Sequence, residues 1–131
     1  MTPTLAALLA AALLHYATVF TAQRFLTRDI GTEGNIGTRE GAEAKLSPLT
    51  HRLRRATANF IENVPTFLIA ILVISLTAKD SALTAALAWG WVGLRALYVV
   101  AYARAWVPHR SVIWLASTLC TLGLLGIGAF A

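Results

Sequence analysis

The chain has 131 residues, 57% of them hydrophobic and 13% charged, with 11 Lys/Arg against 6 Asp/Glu and a formal charge of +5. An average soluble domain is roughly 25% charged, so this composition supplies about half the ions that a water-facing surface needs. It excludes a disordered chain, a disulfide scaffold (Cys120 is the single cysteine) and a water-soluble globule, and the length admits one domain, residues 1–131.

A helix that spans the hydrocarbon core needs roughly 20 mostly apolar residues. Taken in chain order, the first such stretch is 5–22. No basic segment precedes it, and its flanking positive residues, Arg24 and Arg28, come afterwards. That order predicts a retained first span rather than a cleaved signal.

A connection over residues 24–55 follows. It opens on the glycine-punctuated run GTEGNIGTREG, which lacks the Gly-Lys-Ser/Thr of a phosphate loop and has no strand before it, so a flexible surface loop is the expectation. Ser47-Pro48 reads as a helix N-cap followed by proline at the first helical position. The second helix is therefore expected to start near Pro48 and to cross the membrane over 56–78. Stretches 82–103 and 111–131 complete the set. The runs are Ala/Leu-rich and lack the alternation of a membrane strand, which predicts an all-α, integral membrane four-helix bundle.

Seven basic residues (Arg24, Arg28, Arg39, Lys45, Arg52, Arg54, Arg55) fall in the first connection, and Arg104 and Arg110 in the third. Only Lys79 lies in the second. Positive charge marks the cytoplasmic side, so both termini are expected outside the cytoplasm. The charge suits anionic lipid head groups and is no sign of nucleic acid.

The segment RLRRATANFIENVPTF, Arg52 to Phe67, breaks the apolar pattern. Arg55, Asn59, Glu62 and Thr66 recur at i, i+4, i+7 and i+11, one face of a helix, with Asn63 at its edge. Arg55 and Glu62 are separated by about 10 Å along the axis, which places Glu62 within the hydrocarbon. An acidic group there costs on the order of 2.5–3.5 kcal/mol on insertion scales, so it requires a partner, a wet cavity or a polar ligand. Pro65 frees the Ile61 carbonyl and predicts a bend.

In the third span Arg95, Tyr98 and Tyr102 share a face, with Arg104, His109 and Arg110 flanking the turn at Pro108. Antiparallel packing brings this face level with Arg55, Asn59 and Glu62. The combined set of cations, one carboxylate, an amide and two phenols suits a small anionic ligand that also bears an ammonium group, such as a tripeptide. The plainer alternatives are a polar clamp between helices, tyrosines of the interfacial belt, and arginines that only set orientation.

Other groups read as structural. Cys120 sits in a Leu/Ala/Gly context, and the spacings Ala82/Ala86/Gly90 and Ala116/Cys120 favour close helix packing. His15, beside Tyr16, suggests an interhelical hydrogen bond. His15, His51 and His109 are scattered, so no metal set is expected. Trp89, Trp91, Trp106 and Trp114 read as belt or packing residues.

The pattern Arg-Ala-x-x-Asn-x-x-Glu-Asn-x-Pro-x-Phe, Arg55 to Phe67, resembles the second-helix signature of the MAPEG family, the membrane-associated proteins of eicosanoid and glutathione metabolism. RALYVVAYARAWVPHRS, Arg95 to Ser111, is similar to that family's third-helix motif. With four spans, a long first connection and a short second one, the likeness covers essentially the whole chain and is strongest to small prokaryotic members. It implies a homotrimer in a bacterial inner (plasma) membrane, with glutathione as cosubstrate between subunits at the cytoplasmic side and no metal. It implies Arg52, Arg55, Asn59, Glu62, Tyr98 and Tyr102 as glutathione-binding residues, to which the third-helix reading above adds Arg95 and Arg104, with Arg110 and Tyr102 expected to be catalytic. Two positions depart from the better-known branches: Ala58 replaces an arginine of the prostaglandin branch, and Asn63 a tyrosine of the leukotriene branch.

The expected activity is therefore glutathione conjugation to lipophilic electrophiles from the bilayer, reduction of lipid hydroperoxides, or both. A non-catalytic scaffold that binds lipid or glutathione on the same fold is the second reading, and a small proton-coupled transporter using Glu62 a third.

Overall fold

The computed structural model describes all 131 residues. Four helices run in chain order: α1 Pro3–Ile36, α2 Pro48–Leu76, α3 Ala82–Ala103 and α4 His109–Phe130, with a 3-10 turn at Ala42–Lys45 before α2. All four are long and apolar enough to cross a membrane. The outward-facing large side chains are apolar, among them Leu9, Leu13, Phe20, Ile69, Leu72, Leu119 and Leu122. A bundle with this exterior needs lipid around it. It fits an integral multi-pass membrane protein.

Local chemistry starts the first three helices. Thr2 Oγ1 accepts from the Leu5 N–H at 3.2 Å, with Pro3 at the first helical position. Ser47 Oγ accepts from the Thr50 N–H at 3.2 Å, again ahead of a proline. Ser81 and Thr84 form a reciprocal capping box: the Thr84 N–H donates to Ser81 Oγ at 3.2 Å, and the Ser81 N–H to Thr84 Oγ1 at 2.8 Å. The fourth helix has no side-chain cap and begins directly after Pro108.

The core lies where α2 meets α3. Phe67 stacks on Trp91 with centroids 3.9 Å apart, and Phe60 meets Trp91 edge-on at 5.7 Å. Ala7 and Ala11 of α1 and Leu124 of α4 close the cluster. Small residues let the backbones approach. A Cβ on Gly128 would come within 2.8 Å of Val73 Cγ1, and one on Gly90 would touch Cys120 Sγ at 3.6 Å. Cys120 thus packs between α3 and α4.

The predicted loop over 24–55 is mostly helical, which corrects the sequence reading. α1 continues through Arg24 and Arg28, changes direction at Gly31 (φ 74°), and resumes to Ile36. Positive φ suits glycine because it lacks the Cβ that would clash, so the glycine run marks a bend and not a flexible strap. Asn35 Nδ2 donates to Thr27 Oγ1 at 2.7 Å across that bend. The second span ends at Leu76 rather than 78, where Thr77 and Ala78 turn the chain, and the fourth helix starts at His109, two residues before the predicted 111. α2 runs on through Pro65 as a single helix.

Asp29 joins α1 to the start of α2. Its Oδ2 accepts from Thr50 Oγ1 at 2.5 Å and from the Ser47 N–H at 2.8 Å. A carboxylate at a helix N-terminus also meets the positive end of the helix dipole. The Thr50 hydroxyl first, then the Ser47 N–H, hold the Asp29 carboxyl down at about 2 against the partial desolvation that opposes them. A lowered folded-state value stabilises the protein above the ordinary carboxylate range, and that contribution is lost as pH falls through the folded value. Asp29→Asn is therefore expected to lower the thermal midpoint at pH 7. The gap to the parent should close as pH falls from about 4 toward 2, and a gap independent of pH would refute this role.

Candidate functional site

Where the first half of α2 meets the C-terminal end of α3 and the N-terminal end of α4, a cavity of about 440 Å³ opens between the helices. Its size lies within the roughly 300–1,000 Å³ of small-molecule sites. Arg55, Ala58, Asn59 and Glu62 come from α2, Tyr98 and Tyr102 from α3, and Arg110, Ser111 and Trp114 from α4. Helical periodicity explains the first two groups: 55/59/62 and 98/102 each repeat at three or four residues and so share a face. The turn at Ala105–Pro108 then brings the first residues of α4 over the same opening.

The charges lining this cavity are uncommitted. The chain forms three ion pairs, Arg28–Asp29, His51–Glu43 and Arg54–Glu43, and none involves Arg55, Glu62 or Arg110. Arg110 lies over the Tyr102 ring, its Cζ 4.6 Å from the centroid. Tyr98 and Tyr102 meet edge-on with centroids 5.7 Å apart. Arg55, Ala58, Glu62, Ser111 and Trp114 are exposed, so the cavity is open at its side. Carboxylate, guanidinium and phenol groups facing one volume can hold a zwitterion with several hydrogen-bonding groups, while Trp114 adds an apolar wall.

Not every residue singled out from the sequence lines this volume. Arg95 is fully buried (0% exposed) and lies behind the wall. Its Nη2 donates to Asn59 Oδ1 at 2.5 Å and its Nη1 to Ser117 Oγ at 3.5 Å, with the Tyr98 ring centroid 4.6 Å from its Cζ. Arg52 Nε donates to the Ala103 carbonyl at 2.9 Å. That carbonyl is one of the unpaired acceptors at the C-terminus of α3, so Arg52 caps a helix and does not line the cavity. Arg104 is exposed and sits 5.9 Å over the Trp106 ring. Arg95, Arg52 and Arg104 are thus not among the residues that line this cavity.

Ser111 and Trp114 are walls that sequence reasoning missed. Trp114 reads from the sequence as a packing or belt residue, yet it is exposed to the cavity. The spacing from Arg110 (110, 111, 114) carried the signal once the start of α4 was known. His15 stacks on Phe60, centroids 5.8 Å apart, and its Nδ1 is buried without a hydrogen-bond partner, so the interhelical bond expected there does not form through that atom. No three side chains among His, Cys, Asp and Glu come together as a metal-ligand group.

Outside the membrane, Glu43 accepts from Arg54 Nη1 at 2.6 Å, and this contact holds the Glu43 carboxyl below its ordinary value. Arg54 is thereby committed to the 3-10 turn. Of the basic pair that opens α2's membrane segment, only Arg55 remains available to a guest.

Comparison with protein families gives one match, to the model described as MAPEG family, over residues 2–130. No curated protein and no solved structure matches the chain.

Proposed function

Because the chain belongs to the MAPEG family, whose members are associated with glutathione in general, we propose that it is a glutathione-dependent membrane enzyme. It would join the glutathione thiolate to lipophilic electrophiles, reduce lipid hydroperoxides with it, or do both. The observation that carries this reading is the set of unpaired charges, Arg55, Glu62 and Arg110, facing one cavity in an otherwise apolar bundle. Holding three ionised groups at the edge of hydrocarbon is costly without a counter-charged occupant.

In this reading Arg55 and the Asn59 amide take carboxylate and carbonyl oxygens of the tripeptide, and Glu62 takes its ammonium group. The thiol has an ordinary pKa of about 8.5 and attacks only as thiolate. Arg110 cannot release its proton at any working pH, so it supplies a permanent positive charge beside the sulfur, and Tyr102 donates a hydrogen bond to it. The acceptor arrives from the lipid through the open side, past Trp114. For an electrophile, the sulfur lone pair forms the new S–C bond while the leaving group departs or the adduct takes up a proton. For a hydroperoxide, the thiolate sulfur attacks the terminal oxygen, the O–O bond breaks, and the alkoxide leaves and takes up a proton to become the alcohol. The thiol of a second glutathione then attacks the sulfenic acid, giving disulfide and water.

A homotrimer fits this proposal, since the exposed edge at Arg55 and Glu62 is better covered by a neighbouring subunit than by lipid. The Lys/Arg bias supports both termini outside the cytoplasm, and the likeness to prokaryotic members supports a bacterial plasma membrane.

The test is an ultraviolet difference spectrum of the purified protein titrated with glutathione near neutral pH. Saturable thiolate absorbance is the expected result. Binding without thiolate would instead support a non-catalytic scaffold, and absence of binding would refute the glutathione reading altogether.

A further inference from the structure

Arg95 is a guanidinium with no exposed surface and no carboxylate partner. Its Nε is buried without an acceptor. A charge kept in this condition demands an explanation, because an apolar residue of similar volume would be cheaper to bury. Its contacts supply one. Arg95 Nη2 donates to Asn59 Oδ1 at 2.5 Å. Asn63 Nδ2 adds a second, longer donation to the same oxygen at 3.3 Å, besides its bond to the Asn59 carbonyl at 2.7 Å. A guanidinium has donors only, so the amide atom facing it must be the oxygen and never the NH2. The Asn59 amide therefore cannot turn over. Asn59 lines the cavity, and its Nδ2 has no acceptor within the chain.

The same guanidinium reaches α4. Nη1 donates to Ser117 Oγ at 3.5 Å, and Ser117 Oγ donates in turn to the Trp114 carbonyl at 2.8 Å. Trp114 and Asn59 are both walls of the cavity, on different helices. The Tyr98 ring, a third wall, lies 4.6 Å from the Arg95 Cζ. One buried side chain thus touches the residues that position a wall from each of the three helices.

We propose that Arg95 is a positioning residue that locks the Asn59 amide with its NH2 toward the cavity, so that the site requires a hydrogen-bond acceptor, a carboxylate or carbonyl oxygen of the ligand, at that point and rejects a donor there. This deepens the proposed glutathione site and rests on it for the identity of the ligand. The lock itself is a property of the chain alone.

The experiment measures glutathione affinity and thermal midpoint for detergent-solubilised parent, Arg95→Met, Arg95→Lys, Asn59→Asp and the double variant Asn59→Asp/Arg95→Met. Arg95→Met frees the amide to rotate and is expected to weaken glutathione by about tenfold, the equivalent of one net hydrogen bond. Arg95→Lys still presents only donors to Asn59 and should recover most of that loss. An Arg95 that merely supports the fold would lower the midpoint in both variants while the folded protein kept the parent affinity, and that result overturns the proposal. If Arg95→Met yields no folded protein, Asn59→Asp decides the matter. It keeps an acceptor against Arg95 but turns an acceptor toward the ligand, so affinity should fall about a hundredfold; unchanged affinity overturns the proposal.

The midpoints give a reading that needs no ligand. Asn59→Asp should be tolerated when Arg95 is present and strongly destabilising when it is Met, because the new carboxylate then lacks its partner. Equal losses in both backgrounds would overturn the lock. If the parent itself fails to bind glutathione, the preceding functional reading fails, and this midpoint cycle alone decides the role of Arg95.

Discussion

Arg110→Ala is expected to abolish the thiolate absorbance of bound glutathione and to lower turnover by about 10²–10³, the usual cost of removing one preorganised group that faces a developing anion. Arg110 stands in the first turn of α4, on the cavity wall, with no carboxylate to neutralise it. Its one aromatic contact, the Tyr102 ring at 4.6 Å, fixes its direction without cancelling its charge. A cation over an aromatic ring at a partly exposed site contributes only about 0.5–1 kcal/mol, so the variant should fold. Glutathione binding should survive in weakened form, since Arg55, Asn59 and Glu62 remain. Parallel assays of binding, thiolate absorbance and turnover separate these effects. A variant that binds glutathione and still shows the full thiolate signal would remove Arg110 from the chemistry.

Glu62→Gln is the second large effect, and it should move function and stability in opposite directions. Glu62 is exposed on α2, two turns below Arg55, and has no cationic partner in the chain. Its carboxylate is therefore a cost to the empty protein, on the order of the 2.5–3.5 kcal/mol that insertion scales assign to an acidic residue within a span. Gln has nearly the same shape and no charge. The midpoint of Glu62→Gln without ligand should equal or exceed that of the parent. Its glutathione affinity should fall about 10- to 100-fold, because a charge-assisted bond to an ammonium group contributes roughly 1.5–3 kcal/mol. Thermal melts with and without saturating glutathione read both quantities at once. Loss of stability with affinity intact would identify Glu62 as a clamp between helices and remove it from the binding set.

The helices were legible because membrane spans are set by length and hydropathy, two properties that a sequence displays directly. The stripe Arg55/Asn59/Glu62 was legible for a related reason: polar residues at helical spacing stand out in an apolar segment, and the structure puts all three on one cavity. Depth was not legible. Arg95, Tyr98 and Tyr102 share a face by spacing, yet the approach of Ser117 on α4 leaves Arg95 buried behind Asn59 while the tyrosines reach the opening. Nor could spacing show that Arg52 would meet the Ala103 carbonyl, since that contact depends on where α3 ends beside α2. Trp114 and Ser111 were missed because the Ala105–Pro108 turn sets the rotation of α4, and a turn of that kind has no periodicity to read. The glycine run after Ile30 misled in the other direction. Glycine spacing is the same for a loop as for a helix with one sharp bend, and Gly31 proves to be the bend.

A structure of the purified protein with glutathione bound is the most direct measurement. The tripeptide should lie among α2, α3 and α4, with its ammonium group at Glu62, oxygens at Arg55 and at the Asn59 NH2, and its sulfur beside Arg110. Glutathione found elsewhere, or a Glu62 carboxylate turned to the acyl chains with the cavity empty at saturating ligand, would contradict the account.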